Sequence, residues 1–391
     1  MQRRDMIRLI GGGAVAAAGA LTGCSSAYPP EALAPWRGPG DEPEPRRWAL
    51  GHAILAPSPH NRQPWIADLR EPGSISLHID RSRVLPETDP SFRQVMIGQG
   101  TFIEALVLAL QQRGLSPVVQ LFPQGEFAAR SIDDRPVARV SWLAGAAAPA
   151  PDPLFSQLLQ RCTAKLDYDT TRPVAPAMLA ALRSALVDPG IVFGGTLDHD
   201  RVQALRTLCM DAARVELTTP RTVMESVRLT RIGPDEIAFH RDGISINATL
   251  PRILNAVGVL DRSRPPAEGD AVYRQMMSRF DGHSRTAMGF VWLATPVASH
   301  LAAGTLRSAE VAAGRAYMRL QLKATELGLQ MHPMSQACQE FAEMAPHFER
   351  LHTLLLGHPA AQQTVQMFCR IGHCDSTQHA PRRAVQDVIR T

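Results

Sequence analysis

The chain has 391 residues, of which 45% are hydrophobic and 20% are charged. That composition is typical of a globular protein, and the length exceeds what one ordinary core holds, so we expect two domains or a duplicated one. A formal net charge of +4 is small for this length and argues against nucleic acid as a main partner.

The first residues have the pattern of an export signal. Arginines at positions 3, 4 and 8 precede a weakly apolar run, Leu9 to Leu21. This run is too short and too weakly hydrophobic to span a bilayer as a stable helix. A charged start followed by such a run is typical of a signal peptide, and the adjacent arginines indicate the twin-arginine route. An ordinary buried first helix is the alternative. We assign residues 1–23 to the signal peptide and exclude them from the fold.

The apolar run ends in Leu21-Thr22-Gly23-Cys24, which resembles the lipobox of bacterial lipoproteins. This resemblance implies lipidation of Cys24, anchoring through the lipid and a place on the periplasmic side of a bacterial membrane. A plain signal-peptidase site is the alternative. Residues 24–45 are rich in proline and predict an extended tether between membrane and body.

A rigid polar turn is predicted at Ala56 to Trp65, which reads APSPHNRQPW. Its prolines restrict the backbone, and the hydroxyl of Ser58 and the amides of Asn61 and Gln63 are short polar groups. Amides both donate and accept hydrogen bonds, which suits the mixed polar edge of a heteroaromatic ring. A polar loop closed by the packing of Trp65 is the alternative interpretation.

An internal repeat follows. In 97–115 the apolar residues fall at helical spacing, and Gly114 is in the position of a C-terminal cap. Residues 311–329 align with this segment without a gap, Gly314 with Gly100, at an offset of 214 (314 − 100). A chance match of two amphipathic helices is the alternative. The Ala/Pro-rich stretch 144–153 between them predicts a boundary between two halves.

Two basic elements lie in the second half. Arg161, Thr163 and Lys165 alternate, so an extended strand would place two cations and a hydroxyl on one side, which suits a phosphate. Near the C-terminus, Ala380-Pro381 precede the pair Arg382 and Arg383. A solvated strand and a basic tail are the alternative interpretations of these elements.

Together these elements resemble the nitroreductase superfamily, above all its Acg-like branch. The turn is similar to the family's P-S-x-x-N-x-Q-P-W element, Arg161-Cys162-Thr163-Ala164-Lys165 to its R-x-S-x-R/K element, and Arg382-Arg383 to its P-R-R element. Each long repeat resembles the family's central helix, and the loop after the second copy resembles the loop that lies against the flavin. The residues that the resemblance assigns to cofactor binding are Pro57, Ser58, His60, Asn61, Gln63, Arg161, Thr163, Lys165, Gly328, Leu329, Ser335, Gln336, Arg382 and Arg383.

The resemblance implies an α+β, nitroreductase-like fold in two tandem halves, 46–150 and 151–391, that form a single-chain pseudo-dimer. The turn in the first half and the phosphate elements in the second would then complete one FMN site, and the mirror site would be empty. We therefore expect a monomer with one FMN. Residues around 220–285 match the family loosely and are either a lid over the flavin or an ordinary helical connection.

The function implied by the resemblance is an FMN-dependent oxidoreductase that passes hydride through flavin N5 to a nitroaromatic, quinone-like or other acceptor. No metal site or side-chain catalytic group is predicted, because the flavin would carry the chemistry. His60 is the one candidate for a proton donor or ring contact. The competing hypothesis is a binding protein that sequesters FMN beneath a lid and has little activity, and a flavin-dependent dehydrogenase or dehalogenase is a minor third.

Overall fold

The computed structural model describes residues 27–142, 147, 149–258, 260–297, 300, 304–375 and 378–390. The predicted signal peptide and the predicted lipidation site, Cys24, lie outside the described residues. Helices and strands both contribute to the described part, which confirms the predicted α+β class.

Eleven strands occur in the described residues, and most belong to two antiparallel sheets. In chain order they are β1 Trp65–Asp68, β2 Ser74–Ile79, β3 Pro117–Leu121, β4 Ala138–Trp142, β5 Val192–Thr196, β6 Thr230–Ile232, β7 Ile244–Ile246, β8 Gly289–Pro296, β9 Gln330–Pro333, β10 Gln363–Gly372 and β11 Ile389–Arg390.

The helices of the described residues range from one turn to about six turns. They are α1 Pro30–Leu33, α2 Pro45–Ala53, α3 Arg93–Gln112, α4 Pro176–Ser184, α5 His199–Thr218, α6 Pro220–Arg228, α7 Gly233–His240, α8 Thr249–Ala256, α9 Ala271–Arg285, α10 Leu306–Glu326 and α11 Ala345–Leu356.

The two main sheets have the same topology. In the first half the order is β1-β2-β4-β3, with helix α3 between β2 and β3. In the second half the order is β5-β8-β10-β9, with helix α10 between β8 and β9. The chain therefore repeats one structural unit, as the predicted pair of tandem halves requires.

Helices α3 and α10 cross at the two aligned glycines, Gly100 and Gly314. A Cβ on Gly100 would lie 2.1 Å from the carbonyl oxygen of Val311, and one on Gly314 would lie 2.0 Å from that of Ile97. Each contact joins one residue to the partner's counterpart at the same offset of 214, which is the reciprocal pattern of a two-fold interface. The structure confirms the predicted pseudo-dimer, and it explains why both copies of the helix carry glycine.

The halves share more than this crossing. Val311, Met318 and Leu322 of α10 are buried in the same hydrophobic cluster as the residues of α3. Strand β11, the last in the chain, pairs in parallel with β1 and so adds a strand from the second half to the sheet of the first. Helix α3 is apolar enough to cross a membrane and is the one such helix in the described residues, but 89% of its apolar window is buried inside the protein, as expected for a core helix.

The Pro-rich segment departs from the extended tether predicted for it. From residue 29 it lies on the body: α1 and a short 3-10 helix, Ala34–Arg37, follow one another, and Trp36 is buried. The indole of Trp36 stacks on His379 with the ring centres 4.0 Å apart, and its Nε1 donates to the carbonyl of Ala380. Proline content alone predicts an extended backbone, whereas packing of one large aromatic side chain decides the position of this segment.

The main difference between the halves is an insertion. The connection from β1 to β2 takes five residues, whereas residues 197–288 between β5 and β8 contain α5 to α9 and the small parallel sheet of β6 and β7. We call residues 197–288 the insertion. It contains the stretch around 220–285 for which a lid or a helical connection is predicted.

Candidate functional site

The turn after α2 has an unusual backbone. His60, Asn61 and Gln63 have φ angles of 47°, 52° and 52°, which place three non-glycine residues in the left-handed region. Such conformations cost free energy, and they persist where the surrounding structure fixes them, often at functional sites. The predicted rigid turn is therefore present, and its rigidity comes from tertiary contacts as well as from its prolines.

The C-terminal basic element holds this turn. The Oδ1 atom of Asn61 accepts a hydrogen bond of 2.6 Å from Arg382, and its Nδ2 atom donates to the carbonyl of Pro381 at 2.9 Å. Residues that are about 320 positions apart in the chain thus meet, as the predicted composite site requires. Both functional groups of the Asn61 amide are used within the protein.

Arg161 and Arg382 meet at one carbonyl group. Arg161 donates to the carbonyl oxygen of Leu55 at 2.9 Å, and Arg382 donates to the same oxygen at 3.1 Å. Both guanidinium groups lie over the ring of Trp36, at 5.5 Å and 5.0 Å from its centre. The two arginines are almost inaccessible to solvent, and no carboxylate neutralises them. They form a buried positive region directly behind the turn.

Thr163 and Lys165 connect this buried positive region to the accessible surface. The hydroxyl of Thr163 accepts a hydrogen bond from Arg161 at 3.3 Å. Lys165 is accessible to water, yet the protein surrounds it closely enough to lower its pKa to about 8, chiefly by desolvation and then by the charge of Arg279. We call the accessible space beside Lys165, which Arg279 also faces by its charge, the candidate cleft.

Arg279 is a cleft residue that the sequence interpretation missed. It lies on α9 of the insertion, one turn before His283, whose Nε2 atom is 3.2 Å from the carbonyl oxygen of Lys165. Burial lowers the pKa of Arg279, and the phenol of Tyr28 is the one ionisable group that opposes this effect. The residue lies outside every recognisable motif, so only its isolated position on an amphipathic helix could have indicated it.

His60 faces the insertion. One ring nitrogen, Nε2, lies 3.0 Å from the hydroxyl of Ser226. The pKa of His60 falls to about 4, first because the ring is buried and then because Lys165 and Arg62 are cationic. The imidazole is therefore neutral at pH 7, which favours a contact role over that of a proton donor.

Gln63 and Arg383, two of the predicted cofactor ligands, make several hydrogen bonds within the protein. Gln63 is fully buried, and its amide donates to the carbonyl of Arg241 and accepts from the backbone of Arg383. The side chain of Arg383 turns toward the carbonyls of Gln63 and Asp387. Both residues therefore lie at the turn, as the motif spacing predicts, and their polar groups are engaged by the protein.

Ser58 and Pro57 stabilise the turn through hydrogen bonds. The hydroxyl of Ser58 accepts a hydrogen bond of 2.9 Å from the backbone of Gln63, and the carbonyl of Pro57 accepts one of 2.7 Å from Thr101. Both residues remain partly accessible. The contact to Thr101 fastens the turn to α3, next to the crossing of the two halves.

The loop after α10 divides into two parts. Gly328, with φ 64°, ends the helix, and Leu329 is buried in the second-half core, so both lie before β9. Ser335 and Gln336 lie beyond β9, and Gln336 hydrogen-bonds to Glu216 of the insertion. Ser335 and Gln336 are thus the two of these four predicted residues that lie toward the insertion.

At the pseudo-symmetric position in the other half, the positive charge is neutralised by carboxylates. There the carbonyl of Ala185, after α4, accepts a hydrogen bond of 2.7 Å from Arg319. Arg319 also pairs with Glu104 at 2.9 Å and with Asp152 at 2.8 Å. The same architectural place therefore holds a neutralised arginine in one half and cations without a carboxylate partner in the other. This difference supports the expectation of a single site.

The cleft thus combines four cations with no carboxylate among the charges that shift their pKa values: Arg161, Lys165, Arg279 and Arg382. The Nε atoms of Arg161 and Arg382 and Nδ1 of His283 are buried without a hydrogen-bond partner. Such an arrangement is expected to attract an anion with several oxygen atoms. Across the described residues, no cluster of His, Cys, Asp and Glu side chains is suited to a metal ion.

No family model matches the chain. Among solved structures, oxidized iodotyrosine deiodinase bound to FMN and 3-iodo-L-tyrosine matches with 14% identity and a TM-score of 0.34, covering 59% of this chain and 94% of that chain. The FMN-dependent nitroreductase NfnB from Mycobacterium smegmatis in complex with NADPH matches with 13% identity and a TM-score of 0.36, covering 59% and 94%.

Two curated proteins of Mycobacterium tuberculosis, each named as a candidate NAD(P)H nitroreductase, acg, are 37% identical to this chain over 75 residues. The match covers 19% of this chain and 22% of each relative, so the chain spans about a fifth of the length of the curated relatives it matches. Over that segment, the similarity confirms the predicted resemblance to Acg-like nitroreductases.

Proposed function

We propose that the chain binds one FMN in the cleft between its halves and acts as an oxidoreductase. The observation that carries this proposal is the group of four cations without carboxylate partners beside a strained polar turn. A dianionic phosphate would satisfy those charges, and FMN is the flavin that ends in one. The similarity to acg and the FMN bound in the matched iodotyrosine deiodinase structure are consistent with this choice.

The cleft residues divide the task of binding in two. Lys165, Arg279 and Thr163 are the groups that would meet the phosphate, because they are accessible, whereas Arg161 and Arg382 would supply positive potential from behind. His60 and Ser58 of the turn, with Ser335 and Gln336 of the loop, are the candidates for the ring. When bound, the flavin would supply the electron transfer, and the protein would bind and orient it.

The direct test is anaerobic reduction of the purified yellow protein. Addition of NADH or NADPH should bleach the flavin absorbance, and a nitroaromatic or quinone acceptor should restore it. An oxidised spectrum that survives both nicotinamides, although dithionite still bleaches it, would exclude a nicotinamide-dependent reductase.

Sequestration of FMN is the second candidate, and the position of the insertion favours it. Ser226 reaches His60, the backbone of Gly243 donates to Asn61 at 3.3 Å, and Asp242 forms an ion pair with Arg62. The insertion therefore rests against the turn on which the flavin ring would lie. In this case the flavin should react slowly with every added donor and acceptor, and its release should be slow as well.

We further propose that the protein is exported by the twin-arginine route and anchored through Cys24. This proposal is supported by Arg3-Arg4, the apolar run that follows and the lipobox-like Leu21-Thr22-Gly23-Cys24. Because that route carries folded proteins, FMN would be inserted before export.

A further inference from the structure

The insertion exposes an apolar helix face. On α8 and at the residue that ends it, Leu250, Ile253 and Val257 follow one another at i, i+3 and i+7, which places them on one side of the helix. They are 65%, 38% and 65% exposed. Single exposed apolar side chains are common on soluble proteins, whereas a helix that turns its whole apolar side outward indicates something that covers it.

The helix is a folded part of the insertion. Its other side contacts β6, and the side chain of Arg252 lies beside Gly233 at the start of α7. Arg252 is the only charged residue in α8, and no acidic residue accompanies it. The outward face is thus apolar with a cation at its border.

The N-terminal segment enters the body beside this helix. Asn247, two residues before α8, donates to the carbonyl of Ala27 at 2.6 Å, and the hydroxyl of Tyr28 donates to the carbonyl of Ser245 at 3.1 Å. Helix α1 then contacts α7, which carries a further exposed aromatic residue, Phe239. The start of the described chain is therefore fixed to the same part of the insertion that carries the apolar face.

The sequence before Ala27 contains two elements that indicate a membrane as the cover of this apolar face. Cys24 precedes Ala27 by three residues, a reach of at most about 11 Å, and the apolar run Leu9 to Leu21 lies upstream. Attachment to a bilayer through either element would hold α8 within a short distance of the lipid surface.

We propose that α8 is an interfacial membrane contact: its face of Leu250, Ile253 and Val257 lies in the boundary between lipid headgroups and acyl chains, and Arg252 meets anionic headgroups. The apolar face would add a second point of attachment to the lipid anchor proposed at Cys24. The contact would also fix the orientation of the body on the membrane. It rests on the proposed membrane location and is independent of the proposed FMN chemistry.

Depth-dependent fluorescence quenching tests the proposal on the full chain. The protein is reconstituted into vesicles of phosphatidylethanolamine and phosphatidylglycerol that contain a nitroxide on the lipid acyl chain. A solvent-sensitive fluorophore is attached at Val257→Cys, and in a matched control at Val187→Cys, which is equally exposed at 70% but lies in the second half outside the insertion. The unsubstituted chain gives the background from the natural cysteines.

The expected result is strong quenching and a blue-shifted emission at position 257, with neither effect at position 187. Adding Leu250→Asp and Ile253→Asp should reduce the quenching at 257 to the level at 187, while the circular dichroism spectrum stays the same because both side chains are exposed. Equal and weak quenching at both positions on vesicle-bound protein would overturn the proposal. So would a blue-shifted emission at 257 that is already present without lipid, since residues 9–21 or a second copy of the chain would then cover the face.

Discussion

At the level of single residues, the cleft separates accessible cations from buried ones. Lys165 and Arg279 are open to the cleft, and Arg161 and Arg382 lie behind them under Trp36. The distinction matters because a ligand oxygen can contact the first pair directly, whereas the second pair acts through its field and by holding the turn.

Replacing Lys165 or Arg279 with alanine should weaken FMN binding by about ten- to a hundredfold, since a charge-assisted hydrogen bond is worth about 1.5–3 kcal/mol. Riboflavin, which lacks the phosphate, should bind the variants and the parent alike. Fluorescence titration with both ligands measures the difference. Arg274→Ala is the matched control, because Arg274 lies on the same helix but bonds only to the carbonyl of Gly269. Equal losses for FMN and riboflavin would remove both residues from the phosphate.

The pH dependence of FMN binding should report Lys165. Its pKa in the free protein is lowered to about 8 by burial, so the amine is charged below that pH and loses its charge as the pH rises through it. Affinity for a dianionic phosphate should therefore fall, by about tenfold at most between pH 7.5 and pH 9. The same titration on Lys165→Arg should be nearly flat over this range, because a guanidinium stays charged. A decline of the same size in both proteins would point to another group.

At the level of secondary-structure elements, the crossing of α3 and α10 is the feature that joins the halves. The close approach is possible because neither helix has a side chain at the contact, and any Cβ would meet a carbonyl oxygen of the other helix. Ridges of larger side chains would hold the axes farther apart.

Gly100→Ala and Gly314→Ala should each lower the free energy of unfolding by about 1–3 kcal/mol, although alanine is the better helix former. One separation of the helices relieves both clashes, so the double variant should cost less than the sum of the two. Urea unfolding measures all three. Gly98→Ala on the same helix is the control, because its Cβ would be at an ordinary 3.5 Å from Pro59 and should not destabilise. Unchanged stability in both single variants would contradict the described crossing.

The elements also show how far the sequence alone leads. Gly100, Gly314 and the spacing around them were sufficient to predict both long helices, because periodicity and glycine are local signals. The pairing of the helices was implied by the family resemblance. Gln63 and Arg383 match their motifs, but the tertiary hydrogen bonds that engage their side chains could not be predicted from local spacing. Arg279 could not be predicted, since its role depends on how a 92-residue insertion, 197–288, folds back on a turn in the other half.

At the level of the whole molecule, the proposed N-terminal signal would determine the compartment in which the protein works. Changing Arg3 and Arg4 to lysine should leave the precursor in the cytoplasm, because the twin-arginine route depends on that pair. Cell fractionation with immunoblotting measures the distribution. Cys24→Ser should still be exported and should lose its lipid, which separates export from anchoring. Periplasmic delivery of the twin-lysine variant at the parental level would show that another route carries the protein.

The whole molecule also contains two copies of one structural unit in a single chain. The carbonyl after α2 is surrounded by cations without carboxylates, whereas at the carbonyl after α4 Arg319 is neutralised by Glu104 and Asp152. We therefore expect one FMN to be bound by residues from both halves of a single chain.

The number of FMN molecules per chain tests this composite site directly. Native mass spectrometry of the purified holoprotein, with flavin released and quantified from the same sample, gives both the number of chains and the number of FMN molecules in one particle. We expect a particle that contains a single chain with one FMN. We also expect that FMN to be lost in a Lys165→Ala, Arg279→Ala double variant that remains folded. Two FMN molecules per chain, or a particle that retains FMN only as a dimer, would contradict it.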